Sequence, residues 1–297
     1  MELSCFIGDE VFRTEDKLSQ YLLGTDILVG PRSAIFPPTH LEGEIRIGAE
    51  NTIRASYLRN VKTEEECQIH YAQIFESELS NDVKVENAIM KESKLGAKTY
   101  VGPGASLNRV ITEERVKIPH VSYLSDLKIN AQTNIAAGVI TCNFDGVEKY
   151  SSVVGKKCFI GVGVHLIAPC NLEDEVFVSE GVSIFPHTKI KQHSLVTGSG
   201  KQYKVHENRC FYVQSVGWII TLSSVNPDLF QPIQKKIFEW KDFLKNQTLF
   251  DIKKWFLATN ANLDFQKPID YLRDPDEKKM EKLIKLIEQK IKSSTIS

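Results

Sequence analysis

Aliphatic side chains recur at every sixth position along much of this chain. The first run is Val29, Ile35, Leu41, Ile47 and Ile53; the second is Val154, Ile160, Leu166, Leu172, Val178, Ile184, Ile190 and Val196. A helix repeats every 3.6 residues and a half-buried strand every two, so this period belongs to neither and marks a stack of short, nearly identical units. In the second run the residue two before each anchor is Cys158, Val164, Cys170, Val176, Val182, Thr188 or Ser194, small enough to share a tight interior. Gly often follows the anchor, as at Val29-Gly30, Ile47-Gly48, Val154-Gly155 and Ile160-Gly161, where the backbone must turn between flat faces. The chain reads as a solenoid.

Between Tyr57 and Leu107 the register slips, leaving in-phase pieces such as Leu79 to Val85 and Leu95, Val101, Leu107; these read as coils with irregular corners. A second slip follows Ile129 and Ile135. There Thr141 to Tyr150, rich in turn formers and charges, reads as a loop projecting from one corner, the place where a rigid repeat carries binding groups. Upstream, Thr14 to Leu23 has the spacing of a short helix, with Thr14 as N-cap and Gly24 as its end, so residues 1–25 are expected to cap the solenoid. The solenoid is assigned to residues 26–215, the alternating stretch Cys210 to Val216 closing it. From 216 to 297 the spacing becomes helical: Ile233, Ile237, Trp240 and Leu244, then Ile252, Trp255 and Phe256, then Met280, Leu283, Ile284, Ile287 and Ile291. Lys278, Lys279, Lys282, Lys285 and Lys290 fall on the opposite side of the last helix, as a solvated face would.

Composition narrows the partners. The 297 residues carry 37 basic and 38 acidic side chains, a formal net charge of -1, so no basic field draws in nucleic acid. There is no apolar run near the length of a membrane span and no signal-peptide architecture at the N-terminus, and a cytoplasmic location is expected. The six cysteines lack CxxC pairing, and Cys158 and Cys170 fall on small-residue repeat positions; free, buried thiols are expected of Cys5, Cys67, Cys142, Cys158, Cys170 and Cys210. No set of histidines and carboxylates shows metal-ligand spacing, so no metal is expected.

The most distinctive stretch runs Lys117-Ile118-Pro119-His120-Val121-Ser122-Tyr123-Leu124-Ser125-Asp126, then Asn134-Ile135-Ala136-Ala137-Gly138-Val139-Ile140-Thr141-Cys142-Asn143-Phe144-Asp145-Gly146 and Lys149, with Ile167-Ala168-Pro169 downstream. With the hexapeptide period, this run resembles the acetyltransferase half of the bacterial bifunctional enzymes that acetylate glucosamine-1-phosphate and then uridylylate it. The resemblance covers roughly Val29 to Val196. It implies a left-handed parallel β-helix, three hexapeptides to a coil, so the fold class is mainly β with a C-terminal α-helical domain. It also implies a homotrimer with sites between neighbouring prisms. No counterpart of the uridylyl half is expected, since about 25 residues of this sequence precede the first coil.

An amine attacking a thioester must lose a proton to a base whose pKa lies near working pH, a role suited to histidine. By the resemblance, His120 is that base and Asn143 orients the amine and the base. Tyr123, Asn134, Lys149 and Phe144 hold the amino sugar phosphate, lysine meeting phosphate as a mobile point charge. Acetyl-CoA is the implied co-substrate, along Gly161, Val162 and Glu180. Taken residue by residue, Tyr123 is equally a ring packed at a coil position, and Asn134 equally an asparagine stacked in a turn. His165, His187 and His193 read as surface or corner histidines.

The sequence also departs from that family. Phe144 replaces a tyrosine, Val162 stands where a serine is thought to protonate the leaving thiolate, and Glu180 replaces a small residue of the CoA groove. The arginine and lysine that grip the substrate phosphate have no match in Gly102 to Asn108, leaving Arg109 as their nearest substitute. A non-catalytic scaffold, binding a sugar nucleotide or a protein partner, is therefore the alternative to acyl transfer; a changed acceptor is the third reading. Trp255, Asn260, Leu263, Pro268, Ile269, Asp270 and Leu272 weakly resemble the toxin-binding helical domain of some bacterial antitoxins, which would give the C-terminal helices a protein partner.

Overall fold

A computed structural model describes residues 4–7, 10–13, 22–207, 209–213, 217–220, 232, 255, 257–263, 266–273 and 276–294. The chain divides into two compact units. One holds residues 1–190 and 196–204, the other residues 191–195 and 205–297.

The first unit is a parallel β-helix. Its first face stacks nine strands in parallel, from Ala34–Phe36 through Lys117–Ile118 and Asn134–Ile135 to Phe177–Val178. The second face is Ile89–Lys91, Ala105–Asn108, Ser122–Ser125, Ile140–Cys142, His165–Ile167 and Ser183–Ile184; the third runs from Lys94–Leu95 through Leu127–Ile129 to Lys189–Ile190. Further upstream these two faces belong to single strands. Gln73–Leu79 pairs with Ile89–Lys91 at one end and Lys94–Leu95 at the other. Short strands suffice because every inward side chain joins one continuous apolar column, in which Ile53, Leu58, Ile69, Ile74, Ile118, Leu166 and Ile184 are wholly buried.

The apparent slips of register resolve into a rule. Inward positions from Ile53 run Leu58, Thr63, Ile69, Ile74 and Leu79, in steps of five, five and six. Thus Ile47 pairs with Thr63, Thr63 with Leu79 and Leu79 with Leu95, each sixteen residues on. Thr112 to Ile129 is seventeen, Ile129 to Val154 twenty-five, and Val154 to Leu172 eighteen. Coils change length only at corners. Between the first and second faces, Val85 to Ile89 is four steps, whereas Val101 to Ser106, Ile118 to Tyr123 and Ile135 to Ile140 are five. Between the second and third, a single residue in the left-handed region turns the chain at Asn60, Glu76, Glu92, Arg109 and Asp126 (φ 47° to 54°).

The start of the solenoid differs from expectation. Leu22, Leu23 and Gly24 lie in the strand Leu22–Val29, with Leu22 paired to Leu41, because the neighbouring strand satisfies backbone groups that a short isolated helix would leave marginal. The rest of the expected helix, residues 14–21, lies outside the described residues. Before it, Ser4–Ile7 and Glu10–Arg13 form an antiparallel hairpin, and Phe6 pairs in parallel with Ala34.

In the second unit, Cys210–Val213 pairs antiparallel with Gly217–Ile220. A 3-10 turn at Ala261–Leu263 precedes α1 (Pro268–Arg273) and α2 (Glu277–Ser294). Asp276 caps α2 by accepting the Lys279 amide at 2.8 Å, and Leu263, Ile269, Leu272, Met280, Leu283 and Ile287 are buried. Lys278, Lys282 and Lys285 are exposed and Lys279 is half-buried. The expected helix over Ile233 to Leu244 lies outside the described residues, and of the next only Trp255 is described among the named positions, helical and half-buried. Among the described residues no helix is long and apolar enough to cross a membrane.

Candidate functional site

The extra residue that lengthens the corner after the first face is where the expected base stands. Pro103, His120, Ala137, Val162 and Glu180 occupy this corner on successive coils, tied by Gly138 N–H to Val121 O at 2.6 Å, Gly163 N–H to Ala137 O at 2.9 Å and Gly181 N–H to Val162 O at 2.8 Å. His120, Val162 and Glu180 are exposed. Beside them Gly163 and Gly181 turn at φ 67° and 66°, and a Cβ added to either would meet nothing within 4 Å, so this edge is smooth and open. Gly161 differs: its missing Cβ would lie 2.7 Å from the backbone of Ser179 and Glu180, so coil-to-coil packing takes up its open side.

Crossing the second face from this edge, Tyr123 stands between Ser106 and Ile140 in register and is 48% exposed. His165, expected at the surface or a corner, follows Ile140 in the same column on the outward side of the second face and lies 3.2 Å through Nδ1 from Ser183 Oγ. His187 is exposed, as expected; His193 is half-buried. Asn134 stands on the adjoining first face, between Lys117 and Phe159.

Asn143 lies at the far edge of the second face, where the coil is interrupted by a hairpin. Phe144 and Lys149 form its antiparallel bridge, and the Tyr150 amide returns to the Asn143 carbonyl at 2.8 Å. The tip is a local turn: Asp145 Oδ1 accepts the amides of Val147 and Glu148, both at 2.8 Å, and Gly146 takes φ 102°. Those amides hold the Asp145 carboxyl below the usual carboxylate range. Phe144 and Val147 are 57% and 84% exposed, and Lys149 is exposed. The hairpin is thus ordered by its own bonds and presents an apolar ring, an apolar tip and an ammonium group.

At its root sits a cluster centred on Asp126, to which the sequence assigned no role. Asn143 Nδ2 donates to Asp126 Oδ2 at 2.5 Å, and Arg109 grips the same carboxylate with Nε to Oδ1 at 2.6 Å and Nη2 to Oδ2 at 2.9 Å. The Arg109 guanidinium holds the Asp126 carboxyl below its usual range against the opposing effect of burial, with the Asn143 amide adding to it. Arg109 is therefore committed within the chain and is not a free phosphate ligand. The signal was present: Arg109 and Asp126 lie seventeen residues apart, one coil at this level, and so stack.

His120 and Asn143 consequently occupy opposite edges of one face. With about six residues of extended chain between the two edges, the separation within one copy is roughly 15–20 Å.

No family model matches the chain. Curated relatives do: a bifunctional protein GlmU of Staphylococcus haemolyticus is 31% identical over 180 residues, 54% of this chain and 37% of that protein. The GlmU of Aliarcobacter butzleri is 38% identical over 128 residues (40% and 30%), and that of Campylobacter fetus 29% over 199 residues (66% and 43%). Among solved structures, UDP-N-acetylglucosamine O-acyltransferase of Moraxella catarrhalis covers 96% of this chain and 95% of its own at 13% identity, with a TM-score of 0.22, too low to add to the fold. The chain spans about a third to two fifths of the length of the curated relatives it matches. The chain is similar to part of the GlmU proteins, in keeping with the resemblance carried by Lys117 to Lys149.

Proposed function

We propose that this chain is an acyltransferase that moves acetyl from acetyl-CoA to the amine of an amino sugar phosphate such as glucosamine-1-phosphate. The observation that supports it is an exposed imidazole on one edge of a face and an ordered, amide-bearing hairpin on the other edge, in a chain similar to GlmU. The amine nitrogen attacks the thioester carbonyl while His120 takes its proton. The tetrahedral oxyanion then collapses, the C–N bond stays, and the C–S bond breaks. Val162 offers no hydroxyl for the departing sulfur, so the proton taken by His120 is the one returned to it. Tyr123, Asn134 and Lys149 hold the sugar phosphate by hydroxyl, amide and ammonium, with the Phe144 ring against the sugar. The open edge at Gly163 and Gly181 has room for the long, thin CoA. Glu180 on that edge weakens CoA binding by about 1 kcal/mol if a phosphate comes within about 4 Å in water-like surroundings, which lowers affinity without abolishing it.

A separation of this size means that one copy cannot apply both His120 and Asn143 to one substrate. A closed homotrimer that sets the His120 edge of one copy against the hairpin of the next supplies both. The test is acetyl transfer to glucosamine-1-phosphate: His120→Ala is expected to lower kcat about 10²–10⁴-fold. Mixing His120→Ala with Asn143→Ala subunits should restore part of the rate, because some interfaces regain both groups. Equal, negligible turnover in wild type and His120→Ala, or a monomer in sedimentation at micromolar concentration, would end this proposal. The scaffold alternative draws on Glu180 and the committed Arg109, and CoA failing to bind at all would favour it.

A further inference from the structure

We propose that Asp126 is a positioning residue for this reaction: by accepting the Asn143 amide N–H it turns the Asn143 carbonyl toward the acceptor amine, and Arg109 locks Asp126 in place. This rests on the acyl-transfer function proposed above and adds the device that sets the orientation of its amide.

One residue holds both legs of the hairpin. The Asp126 side chain binds Asn143 at the entering strand, and its carbonyl accepts the Ser152 amide at 3.0 Å where the chain returns to the third face. Its own amide donates to Asn108 O at 3.0 Å, and its backbone sits in the left-handed region at φ 51°, so the corner fixes where the carboxylate points. The side chain is 15% exposed and both its oxygens face Arg109. An ionised carboxylate only accepts hydrogen bonds, so the group of Asn143 that meets it at 2.5 Å must be Nδ2; the reversed amide would set oxygen against oxygen. That leaves Asn143 Oδ1 as the free acceptor at the hairpin root. A carbonyl held there can receive one N–H of the acceptor amine and aim its lone pair, and small errors in such aim are costly.

The same contacts could merely stiffen the loop, and the test separates the two roles. In Asp126→Asn the backbone bond to Ser152 remains, but the new carboxamide can offer either oxygen or nitrogen, so Asn143 loses its fixed orientation. The expected result is a kcat lower by about 10²-fold with KM for acetyl-CoA close to wild type, in a protein that still folds and is only slightly less stable. The side-chain amide protons of Asn143, shifted and slowed in exchange by the carboxylate in wild type, should return to ordinary values in the NMR spectrum. Arg109→Lys, which keeps the charge but cannot grip both oxygens, should lower kcat less; it takes over as the test if Asp126→Asn fails to assemble. Wild-type kcat in Asp126→Asn with the amide signal released, or no carboxylate-bound amide in wild type, overturns the positioning role alone. Wild type as inactive as His120→Ala overturns acyl transfer, and this role with it.

Discussion

The upstream and downstream coils of the β-helix share one cross-section and differ in their corners. From Ile47 to Leu95 a coil takes sixteen residues, and strands such as Tyr57–Thr63 and Gln73–Leu79 run across two faces around a single left-handed residue. From Val154 to Ile190 it takes eighteen, and the same two faces are separate strands. Because each face closes its hydrogen bonds with the coils above and below, a corner can gain residues without disturbing the faces. His120 sits at the corner that gains the seventeenth residue, and the Asn143 hairpin at the corner of the twenty-five-residue coil. The groups with candidate chemistry stand where the coil departs from its shortest form.

The largest effect that tests this view comes from two glycines of one corner. Gly161→Ala drives a Cβ to 2.7 Å from the backbone of the next coil, where nothing flexible can give way, and should cost about 3 kcal/mol. Gly163→Ala meets open space and bears only the strain of φ 67°, about 1 kcal/mol. Urea midpoints of the two variants decide it. Equal losses would mean that packing between coils does not govern the corner.

A smaller contrast lies inside the column. Thr63 and Thr112 fill inward positions on upstream coils where Val154, Leu172 and Ile190 stand downstream. Thr112 Oγ1 accepts the Gly96 amide at 3.0 Å and lies 3.2 Å from Thr99 Oγ1, whereas Thr63 Oγ1 is buried without a partner. Thr63→Val should therefore stabilise by about 1 kcal/mol and Thr112→Val destabilise by about the same, opposite signs for one chemical change. Shifts of the same sign would show that the hydroxyls are not what sets the difference.

These differences also explain what could be read from the sequence. Three steps of six are visible as a period, so the downstream coils and the β-helix were legible from Val154 to Ile190. Steps of six, five and five look like slippage unless the sixteen-residue sum is noticed, and Thr63, Thr112 and Thr141 hide among the aliphatics although each is buried. His120, Tyr123 and Asn143 were legible through a motif, but the sequence did not say that His120 and Asn143 fall on opposite edges, which depends on counting corners. Asp126 went unassigned because its partners lie one coil away on either side, at Arg109 and Asn143. Burial was readable for Cys158 and Cys170, and Cys67 and Cys210 are buried as expected; Cys142 is exposed, because its strand ends on an outward position beside Ile167.

The smallest expected effect compares an ion pair near the start of the solenoid with the one at the hairpin root. Downstream, Asp126 is held below the usual carboxylate pKa of 3.8 first by the Arg109 hydrogen bond, and its side chain is 15% exposed. A carboxyl whose folded pKa is depressed stabilises the fold at pH above its unfolded value and loses that contribution as pH falls through the folded value. The stability difference between wild type and Asp126→Asn should therefore be flat from neutral pH down to about 5 and shrink below the usual carboxylate range, where a protonated Asp126 approaches its amide analogue. Upstream, Asp26 is likewise lowered by Arg46, yet its side chain is 57% exposed, so salt and water screen the pair. Asp26→Asn should show a weaker difference that added salt removes, while the difference at Asp126 persists. Denaturation curves at several pH values and two salt concentrations read both. If the two pairs respond alike to salt, burial at the hairpin root is not what separates them, and the downstream corner has no special hold on its charge.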